Sequence, residues 1–267
     1  MWLSCCFTVA ILFVVVGFVL VKGFAFINPG FLLTSPRGGL SGEGGIYSTI
    51  VTTLYLVITT LVFATPLGLG AGIYLVEYAD NARSRLIEKL VIAARFGVET
   101  LAGVPSIIFG LFGYALFVTS LHFGFSILSA ALAGTCLVIP VIIRTTEEAL
   151  KTVPNSYREA SLALGAGKWE TIWKVVLPSG IKGISTGIVL SAGRIVSETA
   201  IFYVTLGGSY KTPTSLMSSG RTMALQVYYL AMETRAFNKA LATAAVLVLL
   251  IVLLNLLINA ISNRLSE

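Results

Sequence analysis

The chain has 267 residues, 56% of them hydrophobic and 11% charged, with a mean hydropathy of +0.92. This composition excludes a water-soluble domain and defines an integral membrane protein. A net charge of +6 would suit a nucleic-acid partner, but the basic residues are scattered among loops, so they are read as topology signals and nucleic acid is excluded.

Apolar stretches long enough to cross a hydrocarbon layer of ~30 Å, at ~20 residues each, fall at 2–21, 49–76, 90–119, 126–143, 183–206 and 238–261. The expected fold is an all-α membrane protein with six transmembrane helices. The first stretch has neither a basic flank nor a small-residue cleavage site, so it is read as a retained helix and not a signal peptide. Cys5, Cys6 and Cys136 lie in or beside apolar spans and are read as inert packing residues, with no disulfide scaffold.

Residues 23–46 contain Pro29, Pro36, Gly38, Gly39, Gly42, Gly44 and Gly45 and read as an outer loop. The second span carries Pro66, where a kink is expected, and Gly68 and Gly72, four apart, as a face for close helix contact. Glu77, Asp80, Arg83, Arg85, Glu88 and Lys89 form the cytoplasmic turn after it. In the third span Arg95 and Glu99 stand at i,i+4, a spacing that suits either an ion pair or a polar path. His122, the one histidine, reads as a solvated outer-turn residue, and Pro140 leaves the end of the fourth span open.

The longest polar interval follows. Ser156 and Glu159 make an S-x-x-E capping pair, so a short helix should begin near Tyr157 and run to Leu164, where Gly165, Ala166 and Gly167 end it. In a second helix Trp169, Ile172, Trp173 and Val176 share one face, Glu170 and Lys174 pair on the other, and Pro178 stops it.

The fifth span holds Arg194 and Glu198, with Gly187, Ser191 and Ser197 on the same side. An arginine at mid-bilayer costs ~2.5–3.5 kcal/mol even on the lenient insertion scale, so this stripe should face a water-filled path or a partner helix. Two readings stand: an anion pathway, for which a guanidinium matches paired phosphate oxygens, and an intrahelical Arg194–Glu198 ion pair. Residues 207–237 are too polar to insert and too short for a domain. The chain contains no phosphate-binding loop for ATP, no spacing of metal ligands and no hydrolase pair, so no cofactor is expected and the chain is not read as an enzyme.

With both termini cytoplasmic, the inner loops collect Arg83, Arg85, Lys89, Arg144, Lys151, Arg158, Lys168, Lys174, Lys182 and Arg264. The outer segments collect fewer, namely Lys22, Arg37, Lys211, Arg221, Arg235 and Lys239, which favours that orientation.

Glu159, Ala160 and Ser161, then Gly165, then Val175, Leu177 and Pro178 resemble the EAA motif of ABC importer permeases, from which Ser161 and Val175 depart mildly. AGIYLVEYA at 71–79, LAGVPSIIFGLFG at 101–113, VIIRTTEEALKTVP at 141–154, GRIVSETA at 193–200 and SLMSSGRTMALQVYYLA at 215–231 are similar to the PstA-type permeases of phosphate ABC importers. The resemblance covers about Ile46 to the C-terminus. It implies a MetI-like permease fold, with an accessory helix at 1–22, a periplasmic loop at 23–46 and a transmembrane domain at 47–267 whose coupling loop spans 144–180.

It also implies a permease subunit for inorganic phosphate in a bacterial or archaeal plasma membrane. Glu159, Ala160, Ser161, Gly165, Trp169, Leu177 and Pro178 would couple to an ATPase subunit present in two copies. Arg194, Glu198, Ser191, Arg95 and Glu99 are the substrate-path candidates. A sister permease, an extracellular or periplasmic phosphate-binding protein facing 207–237, and membrane lipid complete the implied partners. Two departures stand out: the usual basic tail before the first helix is missing, which a late start would explain, and Ser197 replaces the family's glycine before Glu198. A permease for another oxyanion, molybdate or sulfate, is the alternative; an ATP-independent channel or carrier would not need the EAA-like loop.

Overall fold

A computed structural model of the chain describes residues 2–37, 43–79 and 85–265, apart from the side chains of Leu86 and Leu265. Gly38, Gly39 and Gly42 of the outer loop and Asp80 and Arg83 of the cytoplasmic turn lie outside the described residues. The described residues form twelve helical segments and no strand: α1 Trp2–Phe24, α2 Pro29–Leu33, α3 Tyr47–Ile73, α4 Arg85–Ala102, α5 Ser106–Gly113, α6 Ile127–Lys151, α7 Asn155–Ala163, α8 Lys168–Thr171, α9 Leu177–Ser197, α10 Ala200–Thr205, α11 Met223–Tyr228 and α12 Phe237–Leu265. Wide π turns extend α3 over Tyr74–Tyr78, α5 over Tyr114–Ser120 and α11 over Tyr229–Glu233, and join α8 to α9 over Ile172–Val176.

Five helices among the described residues are long and apolar enough to cross a membrane: Trp2–Phe24, Tyr47–Tyr78, Ile127–Lys151, Lys168–Ser197 and Phe237–Arg264. The third expected span is not straight. Ile87–Ala102 and Ser106–Ser120 meet at 104°, so a sixth crossing requires this bent pair to act as one span. The break falls at Gly103-Val104-Pro105, where proline lacks an N–H and drives Val104 out of the helical region. The fourth span, by contrast, runs through the buried Pro140 to Lys151. The fifth starts earlier than expected, at Lys168, and ends earlier, at Ser197.

The core is centred on α6, which lies against α3, α9 and α5. Gly68 and Gly72 let α3 approach it, since a Cβ there would meet Ile142 at 2.7 Å and Thr146 at 2.7 Å, as the small-residue spacing predicts. Leu56, Val57, Ala64, Leu137, Val138, Ala192, Ile195 and Phe202 fill this contact. The second halves of the two broken spans pack together: Gly110 of α5 would place a Cβ 3.0 Å from the Ile201 Cα of α10. Helix α1 runs along α12, with Gly23 against Leu241, and leaves most of its other side chains exposed. Cys5 and Cys6 therefore sit on an exposed surface and do not pack, whereas Cys136 is partly buried; all three are free thiols. His122 is exposed, in the left-handed conformation at φ 57°, as a turn residue should be.

The outer segment 207–237 is anchored to the bundle at its middle. The backbone N–H groups of Ile127 and Leu128 donate to the carbonyls of Ser218 and Leu216, and Met223 N–H donates to Thr53 Oγ1 at 2.9 Å. Met223, Leu225 and Leu230 are buried. Lys211, Thr214 and Ser215 stay exposed, as the outer-loop reading requires, while Arg221, Thr222 and Gln226 are buried.

Candidate functional site: the cytoplasmic elbow and the arginine of the fifth span

The polar interval folds as a helix, an elbow and a second helix. Helix α7 begins at Asn155 behind Pro154, whose fixed φ suits the first turn, and no side chain caps it. The expected Ser156–Glu159 capping box is therefore not formed, because Ser156 already lies inside the helix. The other end follows expectation. Gly165 has φ 89°, its N–H donates to Leu162 O, and the N–H of Ala166 donates to Ser161 O, the paired bonds of a Schellman cap. A Cβ on Gly165 would meet nothing within 4 Å, so glycine is required there for its backbone and not for space.

Beyond the elbow, Ser161 and Thr171 hydroxyls lie 2.9 Å apart and pin α7 to α8. The substitution of serine for the motif's alanine supplies this bond. Ile172 and Val176 are buried against Ile73, Leu150 and Leu177. Trp169 and Trp173, on the same expected face, are instead half or more exposed. They meet each other edge to face and line an apolar crevice with Tyr74 and Tyr78, whose ring carries Lys168 Nζ at 4.5 Å. Lys174 pairs with Glu170 at 2.5 Å on the wet side, as predicted. Pro178 does not stop the helix: it follows directly on the wide turn Ile172–Val176, and α9 continues through it.

One residue that anchors this hairpin was read in the sequence only as a topology charge. Arg158 donates from Nε and Nη2 to Glu77 Oε1 at 3.0 and 2.7 Å, from Nη1 to Val153 O at 2.8 Å and from Nη2 to Leu150 O at 3.0 Å. Both side chains are largely buried. The pair bolts α7 to the ends of α3 and α6. What remains on the outside is Tyr157, Glu159, Ala160, Leu162, Ala163 and, at the tip, Leu164, which is 89% exposed.

The Arg194–Glu198 ion pair, one of the two readings of this stripe, is not formed. Helix α9 ends at Ser197, and Glu198, extended at ψ 132°, turns its Oε1 to accept from the N–H groups of Ala200 and Ile201, capping α10. Arg194 is half-buried, and its guanidinium has no hydrogen-bond or ion-pair partner among the described residues. The polar stripe also divides. Gly187 packs on Thr145 of α6 and Ser191 is fully buried with its hydroxyl unsatisfied, whereas Ser197 is exposed beside Arg194.

Arg95 likewise pairs outside its own helix: Nε donates to Glu147 of α6 at 3.2 Å and Nη2 to Leu75 O at 2.9 Å. Arg95 and Glu99 line a cavity of about 240 Å³ together with Arg144, Glu147, Glu148 and Lys151, at the same end of the bundle as the elbow. Neither i,i+4 pair is formed: Arg95 takes its partners from α6 and from Leu75, and Glu198 caps α10 while Arg194 is left without one among the described residues. No group of potential metal ligands occurs among the described residues.

Residues 64–267 match the family of binding-protein-dependent transport system inner membrane components, and the chain belongs to it. Among its relatives, the phosphate transport system permease protein PstA 1 of Mycobacterium tuberculosis is 42% identical over 195 residues, 72% of this chain and 62% of that protein. The probable ABC transporter permease protein YqgI of Bacillus subtilis is 35% identical over 198 residues, 74% of this chain and 65% of that protein. The chain thus spans less than two thirds of the length of these relatives. A bacterial ABC transporter that imports the acidic polysaccharide alginate contains a chain of the same fold, with a TM-score of 0.68 at 16% identity over 100% of this chain and 96% of that one. The fold is that of the MetI-like importer permeases.

Proposed function

We propose that this chain is the permease subunit of an ATP-driven inorganic phosphate importer in a bacterial or archaeal plasma membrane. A homologous sister permease completes the pore, two ATPase copies hydrolyse ATP, and a soluble phosphate-binding protein delivers the anion. Relatives named as phosphate transport permeases support the substrate, and the elbow supports the energy source.

The observation that carries the proposal is the continuity of Lys168–Ser197. One end of this rod leaves the elbow that displays Leu164, and the other carries the unpaired Arg194. An ATPase that grips Glu159, Ala160, Leu162 and Leu164 would move α7; Ser161–Thr171 and Arg158–Glu77 pass that motion to α9 and α3. Trp169 and Trp173, with Tyr74 and Tyr78, suit the lipid interface better than an ATPase groove. Arg194 then offers the anion a charge inside the membrane, with Glu198 held aside by its cap, and binding stays weak enough for release.

The test is Arg194→Gln in the assembled complex. Because Glu198 does not depend on Arg194, assembly and ATPase association should be retained, while phosphate uptake falls by about tenfold or more with the loss of a charged hydrogen-bonding partner. Normal uptake, or loss of assembly as the sole defect, rejects the assignment. Phosphate uptake by vesicles lacking the ATPase rejects the coupling.

A further inference from the structure

At the end of the bundle opposite the elbow, Arg221 is 6% exposed and has no carboxylate partner among the described residues. Its Nε donates to Gly208 O at 3.2 Å and its Nη1 to Gln226 Oε1 at 3.0 Å, both neutral acceptors. The faces of Tyr210 and Tyr229 hold the guanidinium at 4.3 and 3.9 Å. A buried cation normally takes an acid as partner, as Arg158 does; here the aromatic faces and carbonyls stabilise the cation without cancelling its charge. Among the described residues Nη2 has no hydrogen-bond partner, and neither does the Tyr229 hydroxyl.

The two free donors border one gap. A Cβ on Gly208 would lie 3.8 Å from Arg221 Nη2 and 3.6 Å from the Tyr229 hydroxyl, and the glycine's φ of 74° keeps that position empty. The Tyr229 phenol, between the fifth and sixth spans, is pushed above its ordinary pKa by burial, so at neutral pH it remains a proton donor. Glu233, one turn on, makes no ion pair with Arg221 and adds charge that discourages ionisation of the tyrosine. A planar cation edge and a hydroxyl that both stand beside the side-chain-free Gly208 have the donor chemistry for an oxyanion.

We propose that Arg221 and Tyr229, across the gap at Gly208, form an outer acceptor site for the transported oxyanion, ahead of Arg194. Identifying that anion as phosphate rests on the function proposed above. Gly207 and Gly208 follow directly on α10, which Glu198 caps, so the two unpaired arginines are linked through one short segment of chain. Two weak sites in series favour passage over trapping.

The test uses the complex as it purifies, in nanodiscs and without binding protein, titrated with inorganic phosphate while the phosphorus NMR line width of the free anion is followed. Tyr229→Phe keeps the ring over Arg221 and removes a hydroxyl that bonds to no other described residue, so folding should be unaffected. It should weaken the anion contact by about tenfold, the loss expected for one hydrogen bond to a charged group. Arg221→Lys, which loses the planar fork, should weaken it at least as much. Broadening unchanged in both assembled variants overturns the site but leaves phosphate import standing. Absence of phosphate broadening in the wild type, with labelled sulfate bound and displaced by the same substitutions, sustains the site and removes phosphate as its ligand. Binding of neither anion overturns the site.

Discussion

Arg158, largely covered, and Arg221, buried, lie at opposite ends of one bundle, and their surroundings are opposed. Arg158 spends its donors on a carboxylate and two main-chain carbonyls, and the result is a closed joint between α7, α3 and α6. Arg221 meets a carbonyl, an amide oxygen and two ring faces, and its charge stays uncancelled. Burial alone does not say what an arginine is for. The sign and number of its acceptors do: a neutralised guanidinium fastens elements together, and one left charged is prepared for a partner that arrives from outside.

The sharpest way to break this contrast is to leave Arg158 in the condition of Arg221. Glu77→Gln would strand a buried guanidinium, at about 3–5 kcal/mol for a pair that has lost one member. Helix α7 should detach from α3, and pull-down of the ATPase should be lost even where the chain still inserts; unchanged pull-down would show that the joint is dispensable. A smaller effect is expected at the elbow. Gly165→Val forces a β-branched residue into the left-handed region at about 1–2 kcal/mol, and should reduce ATPase co-purification while the proteolysis pattern of the transmembrane helices stays that of the wild type. Smallest is Ser161→Ala, which removes one hydroxyl bond to Thr171 worth about 1 kcal/mol. It should lower the thermal midpoint slightly and leave uptake near normal. A larger loss than that for Gly165→Val would invert the ranking.

The fold and the elbow were the legible parts. Hydropathy placed five straight crossings and the apolar run of the bent pair, and glycine spacing gave both the α3–α6 contact and the positive φ at Gly165, because these are local requirements written at single positions. Pairing was not legible. Arg95 and Arg194 each had a glutamate four residues on, yet Arg95 turned to Glu147 and Glu198 became a cap, choices that depend on which elements lie alongside. The breaks at Gly103–Pro105 and at Ser197–Thr199 also separated what the apolar runs joined. Only the first carried a signal, its proline, while Pro140 and Pro178, similar in sequence, are spanned by continuous helix. Arg221 was counted among the outer topology charges because the folding back of 207–237 leaves no trace in composition.

The wide turn at Ile172–Val176 has one more consequence. Each residue in an α-helix advances the facing direction by about 100°, so a residue deleted anywhere in Leu177–Ser197 would swing Arg194 round relative to Leu164. A π turn already holds an extra residue per turn, and a deletion inside it can be absorbed by tightening to the regular helix, with both flanks left in phase. The rod between elbow and arginine therefore contains one short stretch tolerant of a change in length, set between the single turn of α8 and the long α9, where phase is fixed.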